Sequence, residues 1–451
     1  MSKKTIITLL FQFVLISLFA QTNKLISEDD YRFLESLTRD VMESSRIYPL
    51  QKLPDPFGTN NTGGTLIRPG GRETYPAFWI RDYAMSLETG FVSNEEQVHM
   101  ILLTAKTQCN QTWITKQGNG IVPLGAIADH ILVESSRPIY FPGTYDYDLQ
   151  GSNESQYGYF PPYGDQFFFI HMVDYYVRNS GDINLLNQTI DGIKLIDRIE
   201  LAFRVPPSDP ENHLVYTTEQ FLGVDFGFRD AIQITGHLCY TSILKYRAAL
   251  QLSELFTKLN NPARAKVYRA IATTIKDAIP VTFMNEEGML RASTGKSRQP
   301  DVWATALAIY EGILKEDIRE KACSHLLNAY LDDKLAYRGN IRHIIHGEDF
   351  NNETAWETAK VPINTYQNGA YWGTPTGWVV YAISLVDKKA AARLVKEYIT
   401  DLRENDYRKG DTFHAPYECL SPPSYTRGPV YLTTVSCPLI VINKMNDPHS
   451  K

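Results

Sequence analysis

Residues 235–279, TGHLCYTSILKYRAALQLSELFTKLNNPARAKVYRAIATTIKDAI, contain two helical patterns, 235–258 and 262–279, separated by a short turn. Similar pairs occur elsewhere in the chain, and each is followed by a long stretch rich in Pro, Gly and Tyr. Helical patterns cover 28–46, 84–108, 165–180 with 183–203, 301–314 with 316–330, 376–386 with 388–404, and 429–445. Strand-like alternation is restricted to short pieces near 130–133, 213–216, 281–291 and 340–345. This pattern predicts an all-α fold, a toroid of helical hairpins with long functional loops at one end and a few short strands.

The N-terminus has the features of an export signal. Met1-Ser2-Lys3-Lys4 precedes an apolar run to Ala20, and polar Gln21 follows. A basic head and a short apolar core predict a secretory signal peptide over residues 1–20, with an uncleaved membrane anchor as the alternative. We therefore expect a secreted or periplasmic protein with no stable membrane insertion after cleavage. No composition break divides residues 21–451, which predicts a single domain.

Composition limits the classes of partner. Aromatic residues make up 12% of the chain, with 27 Tyr and 6 Trp, which suits a pocket that stacks rings against sugar faces. The net charge is −6 and no basic block occurs, so nucleic acid is not an expected partner. The five cysteines lack CxxC spacing, and we predict neither a metal site nor a cofactor.

The loop at residues 68–83 contains the first group of candidate binding residues. Gly70 and Gly71 permit a tight backbone path that could turn Arg72 inward. Trp79 could supply a stacking face, while Arg81 and Asp82 could bind neighbouring hydroxyl groups. The alternative is a structural ion pair beneath a buried Trp.

The stretch 221–230, FLGVDFGFRD, places Asp225, Arg229 and Asp230 among three Phe residues. A carboxyl group held against apolar rings has a raised pKa and can donate a proton near neutral pH. Asp225 is therefore the candidate general acid. If Arg229 paired with Asp225, that carboxylate would stay ionised and the proton donor would be Asp230.

Two further loops contain candidate site residues. In the stretch 366–378, Gln367 and Asn368 lie near Trp372, a polar and aromatic combination suited to a sugar ring, although a turn before a capped helix is the alternative. In the stretch 414–419, Glu418 lies on a loop rich in Pro. Glu353 and Glu357 are alternative bases.

Taken in order, these loops resemble the trehalases and the processing α-glucosidases of the glucosidase I type. The resemblance rests on four short motifs, Pro69-Gly70-Gly71-Arg72 with Phe78-Trp79-Ile80-Arg81-Asp82, Gly223-Val224-Asp225-Phe226-Gly227-Phe228-Arg229, Gln367-Asn368-Gly369-Ala370-Tyr371-Trp372, and Tyr417-Glu418-Cys419. It implies an (α/α)6 barrel of the six-hairpin glycosidase superfamily and inverting hydrolysis of an α-glycosidic bond. It also implies Asp225 as acid, Glu418 as base, and Arg137, in Ser136-Arg137-Pro138, as a substrate-binding residue.

The motifs also differ from the family pattern. Val224 replaces a Trp before the acid, two residues separate Trp79 from Asp82, and Cys419 follows the base. These differences leave the identity of the sugar open.

The sequence thus predicts a secreted, inverting glycoside hydrolase acting on an α-linked, most simply α-glucosidic, oligosaccharide. A sugar lyase or epimerase on the same barrel, and a sugar-binding protein without activity, are the alternatives. The predicted catalytic residues are Asp225 and Glu418, and the predicted substrate-binding residues are Arg72, Trp79, Arg81, Asp82, Arg137, Arg229, Asp230, Gln367, Asn368 and Trp372.

Overall fold

A computed structural model describes residues 25–72, 74–114, 120–141, 159–220, 224 and 229–446. The predicted signal peptide and the candidate acid Asp225 lie outside these residues. Twelve α-helices are present in the described part of the chain. They are α1 (Glu28–Ser44), α2 (Ile80–Ser86), α3 (Asn94–Lys106), α4 (Tyr163–Ser180), α5 (Leu195–Phe203), α6 (Cys239–Lys258), α7 (Pro262–Phe283), α8 (Val302–Tyr310), α9 (Glu316–Leu331), α10 (Thr376–Ser384), α11 (Lys388–Asn405) and α12 (Leu432–Asn446).

The even-numbered helices are the more deeply buried set. Residues 163–177 of α4 are all buried, whereas α11 buries one face and exposes the other. The buried helices contact one another in a cycle, α2 on α4, α4 on α6, α6 on α8, α8 on α10, α10 on α12, and α12 on α2. Because a helix that is apolar on most sides must lie in the interior, the apolar α8 and α10 belong to this inner set. The predicted helical fold is confirmed.

Two predicted helices are shorter than expected. The region 84–108 is interrupted because Gly90 adopts a left-handed φ of 74° that ends one helical segment. Ser93 and Glu96 then form a capping box that starts α3. The region 183–203 contains a 3-10 turn (Ile183–Asn187) and a hairpin before α5 begins.

The described loops also contain more strands than predicted, most of them two or three residues long. They are β1 (Arg46–Ile47), β2 (Leu66–Ile67), β3 (Ala77–Trp79), β4 (Trp113–Ile114), β5 (Ile121–Val122), β6 (His130–Leu132), β7 (Pro138–Ile139), β8 (Thr189–Ile190), β9 (Ile193–Lys194), β10 (Tyr216–Thr217), β11 (Ile232–Gln233), β12 (Gly236–His237), β13 (Ala336–Tyr337), β14 (Asn340–Arg342), β15 (Thr358–Ala359), β16 (Tyr371–Trp372), β17 (Tyr417–Ser421) and β18 (Tyr425–Pro429). Residues 281–291, predicted as a strand, are instead the end of α7 and a turn.

Two small sheets position the loops that carry the candidate residues. A five-stranded antiparallel sheet has the order β13-β14-β16-β17-β18, and Tyr371 pairs with Leu420 within it. A three-stranded sheet, β3-β6-β7, pairs Trp79 with His130. Both sheets join segments that are distant in sequence, so they hold loops from separate hairpins in fixed positions.

Three further properties concern the described residues as a whole. No helix among them is both long and apolar enough to cross a membrane. All five cysteines are buried free thiols, as expected of small apolar residues. Within the same residues, no group of three His, Cys, Asp or Glu side chains is arranged to hold a metal ion.

Candidate active site

Several buried polar residues lie at the N-terminal ends of the inner helices. Asp82 is in the first turn of α2, Asp165 is in the first turn of α4, and Asp301 caps α8. Tyr431 immediately precedes α12. The chain enters each inner helix from a long loop, so loop residues and first-turn residues from several hairpins meet at one end of the molecule.

Glu418 lies on β17 and is only 1% exposed. Its Oε2 accepts a hydrogen bond of 2.6 Å from the hydroxyl of Tyr75 and one of 3.2 Å from Nε of Arg427. Burial raises the pKa of Glu418 to about 7, and the negative charges of Asp230 and Asp82 act in the same direction. Arg427 and Tyr75 lower that pKa, but they do not offset burial. Glu418 therefore exchanges a proton near neutral pH.

Asp230 is the second buried carboxyl group at this end. Its Oδ1 accepts hydrogen bonds from the hydroxyl of Tyr366, at 3.3 Å, and from the side-chain amide of Gln367. Burial raises the pKa of Asp230 to about 6. The guanidinium carbon of Arg427 lies 4.1 Å from the centre of the Tyr366 ring, so Tyr366 contacts both Asp230 and the cation that binds Glu418.

Arg81 and Asp82 belong to a buried charge network next to these groups. Arg81 forms ion pairs with Asp129, at 2.7 Å, and Asp165, at 3.1 Å. Asp82 accepts a hydrogen bond of 2.6 Å from the hydroxyl of Tyr431, and burial raises the pKa of Asp82 to about 6. Burial, Asp129 and Asp82 also raise the pKa of Asp165 well above its ordinary value. Arg81 thus binds protein carboxylates and orients the start of α2.

Trp79 forms part of an aromatic wall. Its ring stacks on His130 with centroids 4.4 Å apart and meets Tyr75 edge to face at 5.2 Å. Burial lowers the pKa of His130, and the positive charges of Arg81 and Arg137 lower it further. Arg137 immediately precedes β7, which pairs with the strand of His130. The wall connects Trp79 through Tyr75 to Glu418.

Two predicted substrate-binding arginines have other partners. Arg229 is 1% exposed and forms a 2.5 Å ion pair with Asp301, with its guanidinium carbon 4.8 Å from the Trp356 ring centre. These described partners of Arg229 lie in the protein interior, and its role in substrate binding stays a prediction. Arg72 donates to the carbonyl oxygens of Phe413, at 2.7 Å, and Tyr407, at 2.8 Å. It fixes the loop that precedes Glu418.

The segment 366–372 contributes buried side chains beneath the candidate site. Gln367, Asn368 and Trp372 are fully buried. Asn368 donates to the carbonyl of Val361 at 2.9 Å and accepts from the backbone of Ala355 at 2.7 Å. These contacts fit the turn that we considered as the alternative for this segment. Gln367, by contrast, contacts Asp230 directly.

The alternative bases have other surroundings. Glu357 accepts hydrogen bonds from the backbone and hydroxyl of Thr235, at 3.1 and 2.9 Å from Oε2, and Glu353 is exposed. Of the glutamates that we considered as bases, Glu418 is the buried one, and Tyr75 from the loop at residues 68–83 donates to it.

Sequence reasoning did not identify several residues that shape the site. Tyr366 and Tyr75 lie inside stretches that we had singled out, and their polar hydroxyls beside carboxyl groups were the available signal. Asp129 and Asp165 are embedded in apolar segments, where a buried acid implies a buried partner. Arg427 and Tyr431 were also not identified. The β17–β18 hairpin brings Arg427 back beside Glu418, and this pairing was not visible in the sequence.

Solved structures with a similar fold include glycoside hydrolases. No protein-family model and no curated protein matches the sequence. The GH63 mannosylglycerate hydrolase from Thermus thermophilus, solved in complex with glucose, is 12% identical, with a TM-score of 0.56 over 90% of this chain and 99% of that one. An uncharacterized conserved protein from the same organism gives 13% identity and a TM-score of 0.54, with the same coverage of both chains.

The rhamnosidase from Klebsiella oxytoca, solved with rhamnose bound, is also similar. It gives 12% identity and a TM-score of 0.53 over 94% of this chain, which spans 65% of the length of that enzyme. At these sequence identities the similarity establishes the fold, and the activity has to be argued from the chemistry of the site. The resemblance expected from the sequence is confirmed at the level of the fold, which is similar to those of a GH63 hydrolase and a rhamnosidase.

Proposed function

We propose that the protein is a secreted, inverting glycoside hydrolase that cleaves an α-glycosidic bond, most simply an α-glucosidic one, in an oligosaccharide. The carrying observation is the environment of Glu418. It is a buried carboxyl group, bound by Tyr75 and Arg427, whose pKa is raised to about 7 by burial and by Asp230 and Asp82. Glycoside hydrolysis needs one protonated and one ionised carboxyl group. Neighbouring carboxyl groups with raised pKa values supply both forms near neutral pH, because they are not all ionised together.

The (α/α)6 toroid is part of the same proposal. The cyclic contacts among α2, α4, α6, α8, α10 and α12 support it, as does the similarity to the two Thermus thermophilus structures over nearly their full length. In such a barrel the loops that enter the inner helices share one end, which agrees with the positions of Asp82, Asp165 and Tyr431.

We assign the general base to Glu418 and the general acid to Asp225, with Asp230 as the alternative acid. Arg427 is a permanent cation on Glu418 and favours its ionised form, which a base needs. The pKa of Glu418 is about 7 and that of Asp230 is about 6, and this difference favours the opposite assignment, with Glu418 as the acid and Asp230 as the base. A substrate whose leaving group needs no protonation distinguishes the two assignments, because it bypasses the acid but still requires the base.

Tyr366 supports an inverting geometry. Its hydroxyl contacts Asp230 and its ring contacts the guanidinium of Arg427, which binds Glu418, so Tyr366 connects the surroundings of the two carboxyl groups. Inverting enzymes separate their carboxyl groups by roughly 6.5–9.5 Å so that a water molecule fits beside the sugar. In this assignment Glu418 takes a proton from water, which attacks the anomeric carbon, while the acid protonates the departing oxygen.

The glycone would bind against Trp79 and Asp82. Trp79 belongs to the aromatic wall, and the carboxylate of Asp82 can accept hydrogen bonds from sugar hydroxyls. Gln367 and Arg81 would act indirectly, by holding Asp230 and the start of α2. Arg137 remains a proposed substrate contact beside His130.

A panel of α- and β-linked disaccharides, with the first-formed anomer followed by NMR, tests this function. We expect hydrolysis of an α-linked member and release of the β-anomer. Release of the α-anomer would contradict inversion, unsaturated products absorbing in the ultraviolet would indicate a lyase, and binding without turnover would indicate a sugar-binding protein. Detection outside the cytoplasm of a chain that begins near Gln21, by N-terminal sequencing, tests secretion.

A further inference from the structure

A polar cavity lies among the C-terminal ends of the inner helices. It has a volume of about 900 Å³, within the roughly 300–1,000 Å³ typical of ligand pockets. Asp174 lines it and lies nine residues after Asp165 on α4, which corresponds to about 13 Å along the helix axis. This C-terminal cavity is therefore separate from the site around Glu418, at the other end of the same helices.

One wall of the cavity is a fixed charge network. Glu88 accepts hydrogen bonds of 2.7 Å from both Arg247 and Lys444. Nη2 of Arg247 lies 2.9 Å from both ring nitrogens of His171, and Nε2 of Gln251 lies 2.8 Å from Nδ1 of that ring. Burial and Arg247 lower the pKa of His171 well below its ordinary value, so the ring is neutral and its Nδ1 can accept the hydrogen bond from Gln251.

This network determines the orientation of Gln251. Since its amide nitrogen donates to His171, its Oε1 points away from the ring, and it has no hydrogen-bond partner among the described residues. Gln251 is 8% exposed and lines the cavity. A buried acceptor without a partner is unfavourable, so a donor from outside the chain would be favourable there.

A second unpaired acceptor lies on the neighbouring inner helix. Oδ1 of Asp174 also lacks a partner in the described part of the chain, and this residue is 2% exposed. Its other oxygen lies 3.5 Å from Arg178. Two buried acceptors from α4 and α6 thus line one cavity.

The charges around the cavity are balanced. Four acidic and four basic residues line it, Glu88, Asp174, Glu254 and Glu311 against Arg178, Arg247, Lys388 and Lys444. Such a lining favours neither an anion nor a cation. Tyr310 and Tyr381 add aromatic surface, so the lining offers donors, acceptors and ring faces together.

We propose that the C-terminal cavity binds a neutral polyhydroxylated molecule, a sugar or polyol, whose hydroxyl groups donate to Gln251 and Asp174. The hydroxyls would accept in turn from the basic residues at the cavity wall. This proposal does not depend on hydrolytic activity at the other end of the barrel.

Four probes test the proposal with the full chain, namely D-glucose, L-rhamnose, glycerol and myo-inositol. Each is soaked into crystals and titrated by ligand-observed NMR. We expect density for at least one probe beside Gln251. Gln251→Leu and Asp174→Asn should each weaken the binding of that probe by about tenfold, the equivalent of one hydrogen bond.

Gln97→Leu is a matched control. Gln97 is 4% exposed, its Oε1 also lacks a partner among the described residues, and it lies on α3 outside the residues that line the cavity. Circular dichroism verifies folding, and Gln251→Met replaces Gln251→Leu if the latter unfolds. Only water beside Gln251 with all four probes, or equal binding by the Gln251 and Gln97 variants, would overturn the proposal. Hydrolysis by these variants, measured separately, tests the proposed enzyme independently.

Discussion

The hydroxyl of Tyr75 donates a 2.6 Å hydrogen bond to Oε2 of Glu418, although the two residues lie 343 positions apart. Tyr75 adopts a left-handed φ of 54°, which is unusual for a residue with a large side chain. Its ring also contacts Trp79 and Tyr431. The structure therefore holds Tyr75 in an unfavourable backbone conformation that places its hydroxyl on the candidate base.

Tyr75→Phe should shift the pH profile of hydrolysis. The hydrogen bond from Tyr75 lowers the pKa of Glu418, so its loss raises that pKa further above 7. A base must be ionised, and the acidic limb of the profile should move to higher pH by up to about one unit, since one unit corresponds to 1.36 kcal/mol. The measurement is kcat/KM against pH. A uniform loss of rate without a shift would mean that Tyr75 only packs.

Glycosyl fluorides should separate the acid from the base. Asp225→Asn should reduce hydrolysis of an unactivated disaccharide by about 10²–10⁴-fold, but should retain most activity on α-glucosyl fluoride, because fluoride leaves without protonation. Glu418→Gln should lose activity on both substrates. Asp230→Asn is measured in parallel.

Each result has a distinct meaning. If Glu418→Gln retained hydrolysis of the fluoride and the aspartate variants lost it, Glu418 would be the acid and an aspartate would be the base. If Asp230→Asn, and not Asp225→Asn, lost activity on the disaccharide but kept it on the fluoride, proton donation would be assigned to Asp230, whose pKa is about 6.

The helices were predictable because their signals are local. The pair at 235–279 carries its pattern within 45 residues and a proline start at Pro262, and the structure has α6 and α7 there. The sequence did not show the break at Gly90, because the helical pattern of apolar residues continues on both sides of this single glycine. Short strands such as β16 have too few residues to show any alternation.

The candidate site was only partly predictable because its contacts are long-range. Glu418, Asp82 and Asp230 could be selected as unusual carboxyl groups in aromatic loops. The partner of Arg229 could not be selected, since Asp301 is 72 positions away and caps a helix from a different hairpin. A motif shows which side chains are chemically unusual, but the fold decides which of them meet.

Arg229 should be essential for stability and not for substrate affinity. Arg229→Met leaves Asp301 buried without its cation, which typically costs about 3–5 kcal/mol, whereas Arg229→Met with Asp301→Leu should recover part of the loss. Chemical denaturation measures both. Arg32→Met is the control, because the exposed Arg32–Glu28 pair should contribute about 0–1 kcal/mol. A stable Arg229→Met with a raised KM would restore the predicted role in substrate binding.

Gly428→Ala should displace Glu418. Gly428 has a φ of +57°, and an added Cβ would lie 2.6 Å from Cβ and 2.7 Å from Oε2 of Glu418. We expect loss of hydrolysis by at least about tenfold, since a misplacement of about 1 Å can cost 10²-fold. Gly181→Ala is the matched control, because Gly181 has a φ of +73° and nothing within 4 Å of an added Cβ. It should cost only backbone strain of about 1–2 kcal/mol and leave activity intact. Equal activity in the two variants would contradict a positional requirement at Gly428.

Glu418→Gln should stabilise the protein at high pH. The folded-state pKa of Glu418 is about 7, above its ordinary value of 4.5, so the folded state binds the proton more tightly than the unfolded chain. This carboxyl group therefore opposes folding increasingly as the pH rises from about 4.5 to 7, and the effect is constant above that range. The amide carries no charge, so the gain in unfolding free energy should reach at most about 3 kcal/mol at pH 8 and decline toward zero near pH 4. Urea denaturation of both proteins at pH 4, 6 and 8 measures the difference. A difference independent of pH would show that folding leaves the pKa of Glu418 unchanged, and one that grows as the pH falls would show that Arg427 and Tyr75 outweigh burial and lower that pKa.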